Sequence, residues 1–187
     1  MKFERRAYPV EVRVAKDEDG TRRIVGHAAL FDSLSEDLGG FREKIAPGAF
    51  ADAVGDDVRA LWNHDPNHVL GRTRSGTLRL SEDEHGLAIE VDPPDTQMAR
   101  DLVVLMERGD VSQMSFGFRT IEDSWEKVDG QNVRTLKRVS LFDVSPVTFP
   151  AYPDTDVAVR SLHKWEVVSE VSHEARTKLL DLAVVAG

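Results

Sequence analysis

Apolar and polar residues alternate along many short stretches of this chain, with the period of two that is typical of half-buried β-strands. Turn signals such as Asp19-Gly20 and Asp129-Gly130 separate neighbouring stretches and predict tight hairpins. The pattern therefore predicts a mainly β protein of the α+β class, built from many short strands. The predicted strands are residues 10–14, 23–31, 41–45, 58–62, 69–72, 77–80, 87–91, 111–118, 125–128, 133–139 and 139–145.

A helical period replaces the strand period in three places. Pro47 suits the first turn of a short helix. A longer helix is predicted between the capping residues 95–96 and the stop residue Gly109, because its apolar residues recur every three or four positions. The predicted helices are residues 47–54, 98–106 and 165–185, and Pro146, Pro150 and Pro153 are predicted to end regular structure after the last strand.

The number of short strands indicates the architecture. Many short strands with few helices predict a closed or nearly closed β-barrel with one or two helices on its outside. The chain has 187 residues, enough for one such domain with a real core. We assign residues 1–160 to the barrel domain and residues 161–187 to a helical tail, which is either packed on the barrel or removed.

The composition excludes several functions. The chain has no cysteine, so it has no disulfide, no thiol nucleophile and no cysteine-bound metal. Its formal net charge of −9, with scattered basic residues, argues against a nucleic-acid partner. No apolar run approaches the roughly 18 residues that span a bilayer, and the first residues lack a secretory signal. We therefore expect an intracellular protein with no membrane partner.

The strand predicted over residues 111–118 has two different faces. Met114, Phe116 and Phe118 share one face and belong in a core, whereas Ser115 and Gly117 share the other. Because a glycine leaves open space beside it, the Ser115 hydroxyl is predicted to point outward and to be accessible. Such a serine is either a small structural residue or a nucleophile that needs a base.

Two other residues would complete a catalytic group with this serine. His64 follows the strand 58–62 and precedes a turn, so it should lie at a strand end beside a loop. Asp143 stands in an apolar strand, where burying a carboxylate without a hydrogen-bond donor is costly. If the three meet, the histidine can take the serine proton and the acid can orient the histidine. The residue pattern alone does not show that they meet.

A metal site is the rival interpretation of the histidines. His64 and His68 have a spacing that suits metal binding on one helical face, which would make the protein a metal-dependent hydrolase. Pro66 between them argues against that helix, and no third ligand stands out. The chain also has no phosphate-binding loop, so no cofactor is expected.

Six short motifs, in this order and spacing, resemble the prohead (capsid maturation) proteases of HK97-like tailed phages. The resemblance covers about residues 8–160 and extends to prophages and gene transfer agents. The motifs are Gly26 to Phe31, Glu43 to Phe50, Leu61 to Asp65 with Leu70 to Arg72, Gly86-Leu87, Met114 to Phe118, and Asp143 to Ser145 followed by Val147 to Ala151.

The resemblance implies a serine endopeptidase related to herpesvirus assemblin, with an assemblin-like β-barrel that carries its site on the outside. Such proteases act inside the assembling procapsid, in the cytoplasm of the bacterial host. There they cleave the scaffolding segment of the major capsid protein, and also themselves, and assemblin relatives are activated by dimerisation. The alternative is an inactive capsid-assembly or scaffold-binding domain that kept the fold.

The resemblance also implies the site residues. His64 matches the family's histidine and Ser115 its serine, while Asp143 stands where many phage relatives carry glutamate. Assemblin uses a second histidine in this role, and residues 139–149 contain none. Glu43 and Asp65 therefore stay open as substitutes for the third member. Arg72 and Arg119 are candidates to assist at the site directly or through water.

Overall fold

The computed structural model of the protein describes residues 4–8, 10, 12–149, 161–169 and 172. The chain divides into two compact units, Met1–Asp154 and Thr155–Gly187. In the second unit residues 161–169 are helical, and most of the predicted helix 165–185 lies outside the described residues. Whether residues 161–187 are retained stays a prediction. None of the described helices is long and apolar enough to cross a membrane.

The described part of the first unit is mainly β, as the alternating pattern predicted. Its elements are β1 (Glu4–Tyr8), β2 (Val12–Lys16), β3 (Arg22–Leu30), β4 (Phe41–Ile45), β5 (Arg59–Leu61), β6 (Val69–Arg72), β7 (Leu78–Glu82), β8 (Gly86–Val91), α1 (Gln97–Glu107), β9 (Gln113–Val128) and β10 (Gln131–Val147). The predicted helix over residues 47–54 is wrong, because this segment forms turns and a short 3₁₀ helix, Ala53–Gly55.

The strands form two sheets, and the predicted closed barrel is not supported. The six-stranded sheet has the order β1-β9-β10-β5-β6, with β4 also paired to β10, and the four-stranded sheet has the order β2-β3-β8-β7. In the described part of the chain, no pairing joins the edge strands β1 and β6 to each other or to the second sheet. Periodicity predicts strands but does not determine which edges pair.

One hydrophobic core lies between the two sheets. Phe116 of β9 meets Phe50 edge to face, with ring centroids 5.6 Å apart, and Phe118 lies 4.9 Å from Phe116. Ile89 and the fully buried Leu87 of β8 belong to the same cluster as these phenylalanines. The inner faces of both sheets are therefore the apolar faces that the alternation predicted.

Strands β9 and β10 form one long hairpin, which unites segments that the sequence predicted as separate strands. Pro146 does not end the regular structure, because it lies inside β10 opposite Met114. Proline has no N–H to donate, but its carbonyl accepts a hydrogen bond from the Asn63 backbone N–H at 3.0 Å. The strand therefore continues to Val147, and this contact ties the loop that carries His64 to the end of β10.

A buried ionic network holds β1, which the sequence pattern did not predict, beside β9. Glu4, Arg6, Glu43 and Arg134 are each no more than 3% exposed. Arg6 Nε donates to Glu43 Oε1 at 2.9 Å, and Arg134 Nη1 donates to Glu4 Oε2 at 2.8 Å and to Glu43 Oε2 at 3.0 Å. Burial by itself raises the pKa of Glu4, but Arg134 and Arg6 outweigh burial and leave that pKa below its usual value.

Candidate active site

His64 lies in a tight turn with an unusual backbone. Asn63 and His64 have φ values of +55° and +58°, and the Asp65 N–H donates to the Trp62 carbonyl at 3.1 Å. Positive φ at both central residues is the requirement of a type I′ turn. This conformation costs about 1–2 kcal/mol per non-glycine residue, so the surrounding contacts must hold it in place.

Asn63 supplies those contacts. Its Oδ1 accepts from the Thr148 backbone N–H at 2.9 Å, and its Nδ2 donates to Thr148 Oγ1 at 3.3 Å. The Asn63 backbone N–H is bound to Pro146, as described above. The turn is therefore fastened to the end of β10, and the imidazole of His64 is held over that strand.

His64 joins Ser115 and Asp143 in one chain of hydrogen bonds. The Ser115 Oγ–H donates to His64 Nε2 at 2.7 Å. On the other side of the ring, the Nδ1–H of His64 donates to Asp143 Oδ2 at 2.5 Å. The three side chains that the sequence singled out therefore meet, although they come from β9, β10 and the loop between β5 and β6.

A β-bulge places Asp143 on the correct face of β10. Leu141 is opposite Phe118 and points into the core, whereas Asp143 is opposite Gly117. The pairing register shifts between Leu141 and Asp143, so one extra residue, Phe142, resets the side-chain phase. Without this bulge, Asp143 would follow Leu141 into the core.

The prediction of an exposed Ser115 hydroxyl is wrong. Ser115 does face away from the apolar core, but it is 0% exposed, and His64 and Asp143 are only 9% and 6% exposed. The His64 turn folds over this face of the sheet, which a strand pattern cannot reveal. Because water is excluded, the hydrogen bonds within the group are stronger than they would be at the surface.

Two further residues shape the site: Ser145, which the sequence pattern did not single out, and Gly117, which it noted only as open space beside Ser115. Ser145 is the cross-strand neighbour of Ser115, is fully buried, and donates from Oγ to Asp143 Oδ2 at 2.6 Å. Gly117 faces Asp143 directly, and a Cβ at this position would overlap Oδ1 and lie 3.3 Å from Cγ. The alternation of side chains along a strand could have indicated both residues. Gly117 lies two positions after Ser115, and Ser145 lies two positions after Asp143, so each shares a strand face with a predicted site residue.

Replacing Gly117 by alanine should therefore displace the Asp143 carboxylate and leave the fold intact. The new methyl group meets the movable end of a side chain and not the backbone. We expect the low-field proton NMR signal of His64 Nδ1–H to shift or disappear, while the melting temperature changes by a few degrees at most. Gly130→Ala, at the hairpin turn, should leave that signal unchanged; an unchanged signal in Gly117→Ala would contradict the assignment.

The other candidates for the third position have different partners. Glu43 is bound to Arg6 and Arg134, as described above. Asp65 accepts from the Asn67 backbone N–H at 2.8 Å, and this hydrogen bond lowers the pKa of Asp65. Among the hydrogen bonds found for the His64 ring, the one carboxylate partner is Asp143. The geometry therefore favours Asp143 as the acid beside His64.

The contacts found for Arg72 and His68 are to acidic residues outside the group. Arg72 donates from Nε and Nη2 to the two carboxylate oxygens of Asp57, both at 2.7 Å. Arg119 is an exposed residue of β9. His68 Nδ1 lies 3.4 Å from Asp65 Oδ2, and no group of three or more His, Asp or Glu among the described residues has a geometry that could hold a metal ion.

This arrangement can activate an oxygen nucleophile. A neutral imidazole that accepts from a serine hydroxyl can remove its proton as the oxygen attacks a carbonyl. A carboxylate on the other ring nitrogen fixes the tautomer and stabilises the imidazolium that forms. The site is therefore suited to acyl transfer from an ester or an amide.

Comparison with known protein families places the chain in one of them. A family model described as caudovirus prohead serine protease matches residues 9–170, which is well over half of the chain. Comparisons with curated proteins and with solved structures gave no match. The matched range contains β2 to β10 and all three residues of the hydrogen-bonded group.

Proposed function

Because this chain belongs to the caudovirus prohead serine proteases, we propose that it cleaves the scaffolding segment of the major capsid protein during prohead maturation. Membership makes it a hydrolase of peptide bonds and implies an interaction with capsid proteins. The scaffolding segment as substrate, cleavage of the chain itself, and action inside the procapsid in the host cytoplasm are parts of the proposal.

We assign the chemistry to Ser115, His64 and Asp143. Ser115 Oγ attacks the scissile carbonyl carbon while its proton passes to His64 Nε2. Asp143 stabilises the resulting imidazolium without taking its proton. The tetrahedral intermediate then expels the amine, which receives the proton from His64 and leaves an acyl-enzyme. A water molecule, deprotonated by His64, attacks the ester and restores the free serine as the acid product departs.

The single observation that carries this assignment is the continuous chain of hydrogen bonds from Ser115 Oγ to Asp143 Oδ2. The contact between Ser115 and His64, at 2.7 Å, lies within the range required for proton transfer, and the contact between His64 and Asp143, at 2.5 Å, orients the imidazole. The strained turn at His64 is a second support. Backbone strain of this kind persists where the surroundings hold it in place, and such sites are often functional.

The proposal is tested with the purified chain and its purified capsid precursor. We expect mass spectrometry to show one main cut that removes the scaffolding segment. Treatment with a fluorophosphonate, which reacts with activated serine hydroxyls, should stop the cleavage and add one phosphonyl group, on the tryptic peptide that contains Ser115. Chelator treatment should not alter the cleavage.

The possible outcomes separate the rival functions. Stoichiometric binding of the capsid precursor, with no new fragments and no labelling of Ser115, would indicate the inactive scaffold-binding domain. Cleavage that a chelator abolishes and the fluorophosphonate does not affect would indicate a metal-dependent hydrolase. Labelling of Ser115 together with cuts outside the scaffolding segment would keep the protease assignment and overturn the proposed substrate.

A further inference from the structure

Three arginines converge on one carboxylate beside the proposed active site. Arg59 Nη2, Arg72 Nη2 and Arg74 Nε lie 3.1, 2.7 and 3.9 Å from Asp57 Oδ2. The three side chains are 41%, 40% and 74% exposed, while that of Asp57 is 26% exposed. We call these three residues the arginine cluster. They stand out in a chain whose net charge is −9.

The three arginines are held by Asp57 to different degrees, and Arg59 donates from Nη1 to the Asp57 backbone carbonyl at 2.6 Å. Arg72 already occupies both oxygens of Asp57 in a bidentate pair, and its hydrogen bond is the main reason that the pKa of Asp57 falls to about 2. Arg59 and Arg74 add two positive charges at the same place, which repel each other and Arg72. Asp56 does not offset them by direct pairing, because its Oδ2 accepts from Ser140 Oγ and the Leu141 N–H.

The arginine cluster lies on the same face of the sheet as the proposed nucleophile. Arg59 is the direct strand neighbour of Asp143, in the parallel pair of β5 and β10. Neighbouring residues of paired strands project to the same side, and Ser145, two residues after Asp143, is opposite Ser115. Arg59 and Ser115 lie two strands apart in the sheet and are offset by two residues along the strand. Their Cα atoms are therefore about 12 Å apart.

An extended peptide covers that distance in three to four residues, at about 3.3 Å each. We propose that the arginine cluster is a subsite for an acidic side chain of the substrate polypeptide, three to four residues from the bond cleaved at Ser115. Guanidinium groups bind carboxylates in a planar, bidentate geometry. The arginine cluster is exposed and has three cations against the one carboxylate of Asp57, so it can bind another carboxylate. This inference rests on the proposed function.

The test uses a library of peptides prepared from bacterial proteins, cut by the purified chain and sequenced by mass spectrometry. We expect aspartate and glutamate to be enriched three or four residues from the cleaved bond. For one well-cleaved peptide and its Glu→Gln counterpart, we expect kcat/KM to differ by about tenfold, because several exposed ion pairs each contribute a few-fold. The difference should lie mainly in KM and should shrink at high salt.

Matched variants test whether the arginine cluster causes the preference for an acidic residue. Arg59→Gln combined with Arg74→Glu removes both surplus positive charges, adds one carboxylate and keeps the Arg72–Asp57 pair, so the ratio of kcat/KM between the Glu and the Gln peptide should fall to one or below. The control, Arg100→Glu with Arg108→Gln, makes the same change in net charge on arginines that are 52% and 67% exposed near the two ends of α1. This control should keep the wild-type ratio, and equal melting temperatures would confirm that both variants fold.

The outcomes separate this inference from the proposed function. Cleavage that fluorophosphonate blocks, but without a preference for acidic residues, would overturn the subsite and leave the protease assignment intact. An equal loss of the ratio in the control variant would also overturn the subsite, because net charge alone would explain the preference. Absence of any fluorophosphonate-sensitive cleavage would overturn the proposed function itself.

Discussion

Replacing Ser115 by alanine should lower kcat/KM for cleavage of the capsid precursor by about 10⁴- to 10⁶-fold. The hydroxyl is the only oxygen nucleophile bound to His64 Nε2, among the contacts found for that ring. Alanine removes one oxygen atom and leaves the strand, the core and the His64–Asp143 pair in place. Folding should therefore be unchanged, and single-turnover kinetics with mass-spectrometric detection would measure the loss.

Ser145 offers a matched control within the same site. It is as fully buried as Ser115 and faces it across the β9–β10 pair, but its hydroxyl donates to Asp143 and not to His64. Ser145→Ala removes one hydrogen bond to a charged acceptor, so we expect a loss of about 10- to 100-fold at most. Similar losses in the two variants would show that Ser115 is not the nucleophile.

Replacing Asp143 by asparagine should lower kcat by about 10⁴-fold, with a much smaller change in KM. The asparagine amide can donate to His64 Nδ1, which forces the proton onto Nε2. That tautomer cannot accept the proton of Ser115. The side chain keeps its size, so the space provided by Gly117 still holds it, and the fold should persist. Steady-state kinetics together with a thermal melt would distinguish loss of chemistry from loss of folding.

Asp65→Asn is the control for this second prediction. Asp65 is the residue next to His64 and accepts from the Asn67 N–H, and an asparagine Oδ1 can still accept that bond. We expect kcat to fall less than tenfold, because no contact of the His64 ring is removed. A large loss in Asp65→Asn, with activity preserved in Asp143→Asn, would move the acid role to Asp65.

The elements that the sequence predicted correctly are those that depend on near neighbours. The strand β4 and the strand β6 begin and end at the predicted residues, and α1 lies where helical spacing and a capping Thr96 predicted it. Period and turn chemistry act within a few residues, so a single sequence contains them. By contrast β1 has no apolar alternation, because its buried Glu4 and Arg6 form ion pairs with Arg134 and Glu43, far along the chain.

The candidate site shows where local patterns stop being informative. The motifs pointed to Ser115, His64 and Asp143, but their meeting depends on contacts between residues separated by 51 and 79 positions. For this reason the sequence left Asp143, Glu43 and Asp65 as alternatives for the acid that orients His64. Only the folded chain shows that Glu43 is bound to two arginines and that Asp143 is the carboxylate beside the imidazole.

The sequence by itself determined the mainly β character, the apolar face of Met114, Phe116 and Phe118, and the set of residues from which a site could be built. The tertiary structure decided that the sheets form no closed barrel in the described part of the chain. It also decided that Ser115 is buried and that a bulge turns Asp143 towards it. The physical reason is that side-chain period is a local property, whereas register, bulges and burial depend on which distant segments pair.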